Sequence, residues 1–265
     1  MRVLLTGAAG TIGRALADGL PALGHELRGL DLTGAGELAP AFPLGWVTGD
    51  CLDALVVDDA VRGVDAVVHL AGNPGEDGLA ESLASHVHTT GRLLDAMVRH
   101  DVSRIAYASS NHAVGRTART DLVTTTTRPR PDTFYGVAKV AAEALLSLYA
   151  DRHRIDAVAM RIGSFGEAPT SDRQLSTWLS PADCVRMVQA AITAPSPGFA
   201  VLYGISANER AWWDLAPGRA LGYEPADDAE RWASAIESSC DDGADGAHVG
   251  GPFASPAYDR PAFDG

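Results

Sequence analysis

The chain has few cysteines and an excess of acidic over basic residues. Its three cysteines, Cys51, Cys184 and Cys240, are scattered among 265 residues, with no CxxC pair and no spacing typical of metal ligands. A disulfide-based scaffold is therefore excluded, and a reducing compartment such as the cytoplasm is the simplest interpretation. The formal net charge of −13 argues against nucleic acid and against anionic membranes as partners.

Long hydrophobic runs and internal repeats are also missing. No run approaches the roughly 20 apolar residues that a membrane-spanning helix needs, and no segment recurs at a fixed period. A strand pattern begins at Arg2 without a charged and then apolar leader before it, so no signal peptide is expected. Because 46% of the residues are hydrophobic, the chain can bury a large core.

Short apolar segments alternate instead with longer amphipathic ones. The short segments are rich in Val, Leu, Ile and Ala, as expected of strands that are buried on both faces. Such alternation is typical of a Rossmann-type α/β fold, a doubly wound parallel sheet. Strands are predicted at 2–6, 26–31, 44–48, 65–70, 104–109, 156–162 and 199–205, and helices near 11–23, 53–62, 79–100, 133–153 and 181–194.

A glycine-rich turn joins the first predicted strand to the first helix. The sequence from Thr6 to Gly13 reads TGAAGTIG, a GxxGxxG spacing. Glycines let backbone N–H groups approach a pyrophosphate at the positive end of a helix. At the first strand–helix junction this pattern predicts a dinucleotide site. Its candidate contacts are Gly7, Gly10, Thr11, Ile12 and Gly13.

The ends of the next three strands carry further candidates for the same site. Asp31 ends the second strand, where a carboxylate can accept hydrogen bonds from the adenine ribose and would repel a 2′-phosphate. NAD is therefore favoured over NADP, although Asp31 could also simply cap a loop. Asp50, followed by Cys51, ends the third strand and is a candidate for the adenine amino group. The fourth strand ends in small residues that would let a cofactor lie close, in the segment Leu70, Ala71 and Gly72.

Tyr135 and Lys139 are four residues apart on a predicted helix, so they share one face. An unperturbed phenol titrates near 10, and a neighbouring ammonium favours the phenolate and makes the tyrosine a more useful base. A surface tyrosine with a solvated lysine would give the same spacing. The helix comes after the fifth predicted strand, however, and that strand is followed by Ser110, Asn111 and His112, which can bind substrate oxygens at the sheet crevice.

Together these motifs resemble the extended short-chain dehydrogenase/reductase superfamily over residues 1 to about 162. By resemblance, Tyr135 is the catalytic base, Lys139 orients the cofactor ribose and lowers the pKa of the tyrosine, and Ser110 polarises the substrate hydroxyl. A closer resemblance, to uronate dehydrogenases, extends over nearly the whole chain. It rests on the segments 109–115, 161–164, 173–180, 203–208, 212–214 and 250–253.

The closer resemblance implies oxidation of the C1 hydroxyl of a hexuronic acid, glucuronate or galacturonate, to an aldarolactone, with the hydride passing to NAD⁺. The small-molecule sugar acid carries a carboxylate, for which Arg173 is the candidate partner. Ser164, His112 and Asn73 complete the candidate substrate contacts, with Ser110 and Asn111. A homo-oligomer that pairs through the helices near 79–100 and 133–153 is also implied.

Two departures from the relatives concern the same region. Histidine stands at position 86, where related proteins have asparagine, and the loop 73–78 differs from the usual stretch, which leaves the preferred uronic acid open. His86 and His88 are two residues apart and do not share a helix face, so no metal site is expected.

Two other functions fit parts of the pattern. A sugar-nucleotide epimerase or dehydratase would need a larger C-terminal region, and a non-enzymatic NAD-binding regulator would not need Ser110, Tyr135 and Lys139. The predicted organisation is an NAD-binding core with the catalytic helix over 1–162 and a small substrate-binding region with a tail over 163–265, packed as one unit. Phe253, Tyr258 and Phe263 predict that the tail, from about Ser238, is packed.

Overall fold

Seven predicted strands form one parallel sheet in the computed structural model, which describes residues 1–119, 122–236 and 244–263. The strands found in these residues are β1 (Arg2–Thr6), β2 (Glu26–Asp31), β3 (Trp46–Thr48), β4 (Ala66–His69), β5 (Arg104–Ser110), β6 (Asp156–Ile162), β7 (Ser164–Phe165), β8 (Trp178–Leu179) and β9 (Phe199–Gly204). The sheet order is β3-β2-β1-β4-β5-β6-β9, and β7 pairs with β8 separately. The predicted Rossmann-type α/β class is confirmed.

The five predicted helices are also present. The helices are α1 (Thr11–Gly19), α2 (Ala54–Val61), α3 (Leu79–Leu83), α4 (Thr89–Arg99), α5 (Phe134–His153), α6 (Gln174–Thr177), α7 (Pro181–Thr193) and α8 (Ala216–Ala220). The helix predicted near 79–100 is split into α3 and α4 by one π-helical turn, Ala84–His88. A π turn inserts an extra residue into the helical ladder, and such turns are frequent at functional sites.

The alternation of side chains along β1 explains why its three central residues are all apolar. Val3 and Leu5 point into the core beneath α1 and α7, whereas Leu4 points into the core beneath α2, α4 and α5. All three are fully buried. Because helices cover both faces of the sheet, successive side chains at the centre of β1 are all apolar, and the period of two is hidden.

The sheet order reverses between β1 and β4, and this reversal positions the site. Loops leaving neighbouring strands turn to opposite faces at such a point and open a crevice outside the carboxyl ends of the strands. The turn after β1, Asp31 at the end of β2 and Ser110 at the end of β5 all lie at this edge.

The C-terminal segment packs against the loop that follows β5. The backbone N–H of Val249 donates to Thr117 O (2.9 Å), and that of Gly250 donates to Gly115 O (2.9 Å). The predicted packing of the tail is thus found for its described part, but Phe263 is 72% exposed and anchors nothing. Ser238 and Cys240 lie outside the described residues. In the described part of the chain, no helix is long and apolar enough to cross a membrane.

A buried ion pair connects α5 to β6 beneath the sheet edge. The guanidinium of Arg161 donates to both carboxylate oxygens of Glu143 (3.0 and 2.8 Å), and the Ser109 hydroxyl donates to the same carboxylate (2.5 Å). The side chains of Arg161 and Glu143 are 4% and 8% exposed. Such a pair contributes little net stability as a unit, but removing one partner leaves an uncompensated buried charge.

Substitution of this pair tests that account. We expect Arg161→Leu to lower the free energy of unfolding by about 3–5 kcal/mol, because Glu143 is left charged and buried. The double variant Arg161→Leu/Glu143→Leu should recover much of the loss, because it removes both charges. Urea denaturation of the three proteins measures the difference, and a double variant less stable than Arg161→Leu would contradict the expectation.

Candidate active site

A cleft of about 1120 Å³ opens at the carboxyl ends of the strands. Its walls include every residue that the sequence predicts as a cofactor contact, together with two of the predicted substrate contacts. These lining residues are Gly7, Gly10, Thr11, Ile12, Gly13, Asp31, Asp50, Cys51, Leu70, Ala71, Gly72, Tyr135 and Lys139, with Asn73 and Ser110.

The glycine-rich turn is too tight for side chains at two positions. Gly7 has φ +66°, and a Cβ there would lie 2.8 Å from the backbone nitrogen of Ala71. A Cβ at Gly13 would lie 2.5 Å from Gly7 O, within the turn itself. At the start of α1 the backbone of the turn is therefore not covered by side chains at these positions. Its N–H groups and the helix dipole favour an anionic group there. This cradle fits the pyrophosphate of a dinucleotide.

Asp31 caps its own loop, which is one of the two roles that the sequence left open. One carboxylate oxygen accepts a hydrogen bond from Ala9 N (2.9 Å) and the other from Thr33 N (3.2 Å), so the side chain does cap its loop and fixes the glycine-rich turn. The Thr33 hydroxyl also donates to Asp31 (3.2 Å), so about one of the four acceptor positions of the carboxylate remains for a ribose hydroxyl. Cys51 lies near it in the cleft wall, and burial raises the pKa of its thiol to about 12, which makes the thiol unreactive.

Glu76, which sequence reasoning missed, binds the first turn of α5 together with the capping residue Thr133. Thr133 caps the helix by accepting from Gly136 N (3.0 Å). In addition, the Glu76 carboxylate accepts from Phe134 N (2.9 Å) and Tyr135 N (3.1 Å). Glu76 belongs to the variable loop 73–78, and nothing in the local sequence indicates that it reaches a helix some sixty residues later. The loop 73–78 and Tyr135 are therefore connected directly.

Lys139 is buried beneath Tyr135. Its ammonium donates to Ala108 O (2.6 Å) and lies 5.2 Å from the centre of the Tyr135 ring. Burial lowers the pKa of Lys139 to about 7, against the opposing effect of the Glu143 carboxylate. The lysine therefore titrates within the range in which enzymes operate, which is typical of functional sites.

The tyrosine itself departs from the sequence-based expectation of a lowered pKa. Burial raises the pKa of Tyr135 to about 12, although a hydrogen-bonding interaction with Ser110 opposes the increase. The physical reason is that desolvation of the phenolate outweighs the stabilisation that the Ser110 hydrogen bond provides. Ser110, which is 5% exposed, accepts from His112 N (3.1 Å), so its own hydroxyl proton can still be donated.

His86 forms part of the cleft wall next to the tyrosine. Its ring meets the Tyr135 ring edge-to-face at 5.0 Å, and its Nε2 lies 2.9 Å from Asn73 O. Burial, followed by the charge of Lys139, lowers the pKa of His86 to about 3, so the ring is neutral. The ring also packs against Gly72, where a Cβ would lie 2.5 Å from it. The residue noted as a departure from the relatives is thus a neighbour of the predicted base.

The remaining substrate candidates are distributed more widely. The Asn73 side chain is used within its own loop, where it accepts from Gly75 N (3.0 Å) and donates to Asp77. Asn111, His112, Ser164 and Arg173 lie outside the set of cleft-lining residues. Ser164 bonds to Thr177, Arg173 Nη2 donates to Val249 O (2.7 Å), and the His112 ring is 6.0 Å from that of Tyr135. Among the described residues, no cluster of three or more His, Cys, Asp or Glu side chains could hold a metal.

The low pKa of Lys139 predicts a pH-dependent stability difference. A lysine with a pKa of about 7 when folded and 10.5 when unfolded binds fewer protons in the folded state, so folding is penalised below pH 7 and the penalty decreases as the pH rises. Relative to Lys139→Met, the parent should therefore gain about 2 kcal/mol between pH 7 and 9. Denaturant titrations of both proteins without added cofactor measure this, and a pH-independent difference would contradict the assigned pKa.

Comparison with known proteins agrees with this geometry. The model of the NAD dependent epimerase/dehydratase family matches residues 3–197. A uronate dehydrogenase of Pseudomonas putida is 35% identical over 258 residues, covering 96% of this chain and 95% of that protein. An NAD-dependent glucose-6-phosphate dehydrogenase of Haloferax volcanii is 35% identical over 256 residues, which cover 86% of this chain and 94% of that protein.

The fold is shared with solved structures of the same group. A crystal structure of uronate dehydrogenase from Agrobacterium tumefaciens, a tyrosine-to-alanine mutant complexed with NAD, superimposes with a TM-score of 0.90 at 34% sequence identity. The match covers 100% of this chain and 99% of that one. The glycine-rich cleft, the Tyr135–Lys139 pair and these similarities over the full length together show that the chain belongs to the NAD dependent epimerase/dehydratase family.

Proposed function

We propose that this chain oxidises the C1 hydroxyl of a hexuronic acid, glucuronate or galacturonate, to the aldarolactone, with NAD⁺ as the oxidant. The observation that carries the proposal is the convergence of Ser110, Tyr135 and Lys139 on the cleft beside the glycine-rich turn. Similarity to uronate dehydrogenases over the whole chain supports the substrate class. The same similarity does not favour a sugar-nucleotide epimerase or a non-enzymatic regulator.

Three side chains have separate roles in the transfer of one proton from the substrate. In this proposal Tyr135, once ionised, takes the proton of the C1 hydroxyl, and Ser110 holds that hydroxyl by donating a hydrogen bond to its oxygen. Lys139, anchored to Ala108 O, supplies positive charge below the ring when it is protonated. The bound NAD⁺ supplies the hydride acceptor and would lie along Gly7 to Gly13 and Asp31. The Asp31 carboxylate disfavours the 2′-phosphate of NADP⁺.

The substrate's carboxylate needs a fixed cation, because it must exchange its water shell for charge-assisted hydrogen bonds. Arg173 is our candidate for this partner, with Ser164, His112, Asn111 and Asn73 as further contacts. This role is supported by the contacts of Arg173 with the tail segment 249–251, because Phe253, two residues further along the tail, contacts the His112 ring. A sugar phosphate, suggested by the Haloferax volcanii relative, would use the same cation and is the second candidate substrate class.

We further propose that the protein acts in the cytoplasm as a homo-oligomer, without nucleic acid or membrane partners. Support for self-association comes from apolar side chains exposed on the two helices that the resemblance implies, Val98 on α4 with Val137 and Leu148 on α5. The acidic net charge of −13 supports the absence of polyanionic partners. We treat residues 1–162 and 163–265 as the NAD-binding core and the substrate-binding region of one unit.

The role of Tyr135 is tested by Tyr135→Phe, with Tyr149→Phe as the matched control on the same helix, where Tyr149 bonds to Asp95. We expect Tyr135→Phe to lower kcat on glucuronate by about 10²–10⁴-fold, because the proton acceptor is lost. The NAD⁺ dissociation constant should stay within a few-fold of the parent, and Tyr149→Phe should leave kcat unchanged. Turnover of Tyr135→Phe within a few-fold of the parent would show that Tyr135 is not the base.

The substrate class is tested by Arg173→Ala and Arg173→Lys, with Arg210→Ala as a control for removal of an arginine that pairs only at the surface, with Glu230. On a uronate we expect Arg173→Ala to lose about 2–5 kcal/mol of transition-state stabilisation. Arg173→Lys should recover only part of this, because a point charge cannot reproduce the planar fork. The NAD⁺ dissociation constant should be unaffected in all three variants.

The substrates for this comparison are glucuronate, galacturonate, glucose 6-phosphate, glucose and galactose, and the measurement is kcat/KM from NADH formation. The parent should prefer the two uronates over the neutral sugars. Equal activity on neutral hexoses, or an equal effect of Arg173→Ala on charged and neutral sugars, would contradict the carboxylate-binding role. A preference for glucose 6-phosphate would assign the sugar phosphate class instead.

A further inference from the structure

A histidine and a buried carboxylate form a hydrogen-bonded pair beside the predicted base. His112 Nδ1 lies 3.0 and 2.9 Å from the two carboxylate oxygens of Asp132, whose side chain is fully buried. A carboxylate can only accept, so Nδ1 must carry the proton in this contact. When Nδ1 carries the only proton of the ring, Nε2 is a hydrogen-bond acceptor that points away from Asp132.

The space that Asp132 occupies is shaped by two glycines from distant parts of the chain. A Cβ at Gly115 would lie 1.9 Å from Asp132 Oδ2, and a Cβ at Gly250 would lie 1.8 Å from it. The two glycines are themselves joined, since Gly250 N donates to Gly115 O (2.9 Å). The carboxylate therefore sits where the turn after β5, the start of α5 and the tail meet, and any larger residue at either glycine would displace it.

The His112 ring connects this buried carboxylate to the substrate side. It lies 6.0 Å from the Tyr135 ring and 4.7 Å from the Phe253 ring, and its side chain is 16% exposed. A few residues before Phe253, Val249 O accepts from Arg173 Nη2 (2.7 Å). The tail segment that contacts the ring of His112 at one end thus contacts the candidate carboxylate partner at the other.

We propose that Asp132 is a positioning residue for substrate specificity, which acts by fixing His112 with Nε2 as an acceptor for a hydroxyl group of the sugar. The inference rests on the proposed function for its substrate. It changes the expected role of His112, because an acceptor nitrogen recognises a sugar hydroxyl and not the carboxylate, which has no proton to give. Arg173 and His112 then bind different groups of the same substrate, the carboxylate and a hydroxyl group respectively.

A double-mutant cycle tests whether Asp132 acts through His112. We expect Asp132→Asn to lower kcat/KM on the preferred uronate by about 10- to 100-fold, the effect of a hydrogen bond to a charged group. The dissociation constant of NADH, from fluorescence titration, should change less than two-fold. In a His112→Phe background, where no ring nitrogen remains to be oriented, Asp132→Asn should cost less than three-fold more.

Asp183→Asn is the matched control, because the Asp183 side chain is also fully buried and accepts from Ala226 N and Asp227 N away from the cleft. It should lower the Tm and leave kcat/KM unchanged. An Asp132→Asn variant within three-fold of the parent, or one whose loss is the same in the His112→Phe background, would show that Asp132 is only structural.

A second measurement is independent of activity and separates this inference from the proposed function. Nitrogen-15 NMR of the imidazole should show His112 protonated at Nδ1 in the parent and a shift towards the Nε2-protonated form in Asp132→Asn. A parent His112 protonated at Nε2 alone would overturn the positioning role. If the parent oxidises neither uronate, the proposed function fails, and the tautomer of His112 still decides whether Asp132 orients the ring.

Discussion

One face of α5 carries three polar side chains into the interior, and the site depends on how their charges are balanced. Tyr135, Lys139 and Glu143 follow one another at intervals of four residues, so they lie in one row from the cleft towards the core. Burying an ammonium and a carboxylate is costly unless each finds a partner. Arg161 from β6 binds the carboxylate with two hydrogen bonds, which leaves Lys139 with only part of the attraction that Glu143 could supply.

As a result, Lys139 loses its proton easily, and Tyr135 is hard to ionise. Burial lowers the pKa of Lys139 to about 7 and raises that of Tyr135 to about 12. Both shifts oppose the charged forms, as expected in a site with little water. A positively charged group that enters the cleft would stabilise the phenolate of Tyr135. Without such a group, the chain presents Tyr135 in its neutral form.

The contacts around the start of α5 come from parts of the chain that are far apart in sequence. Glu76 from the loop before α3 binds the first turn of α5, and Asp132 with His112 binds the tail through Gly115 and Gly250. Glu76 also contacts Arg260 near the end of the described chain. These contacts connect the loop 73–78, Tyr135 and the tail, whereas the glycine-rich side of the cleft is built from consecutive strand ends.

The sequence by itself determined the elements and the cofactor side of the site. Strand–helix alternation and the GxxGxxG turn are local patterns, and parallel strands place their carboxyl ends at one edge, so Gly7, Asp31 and Tyr135 could be brought together without coordinates. Only the tertiary structure decided the pKa shifts of Tyr135 and Lys139, because these depend on burial. It alone also placed Glu76, His86 and Asp132 at the site, because their partners lie in segments that no local pattern connects to them.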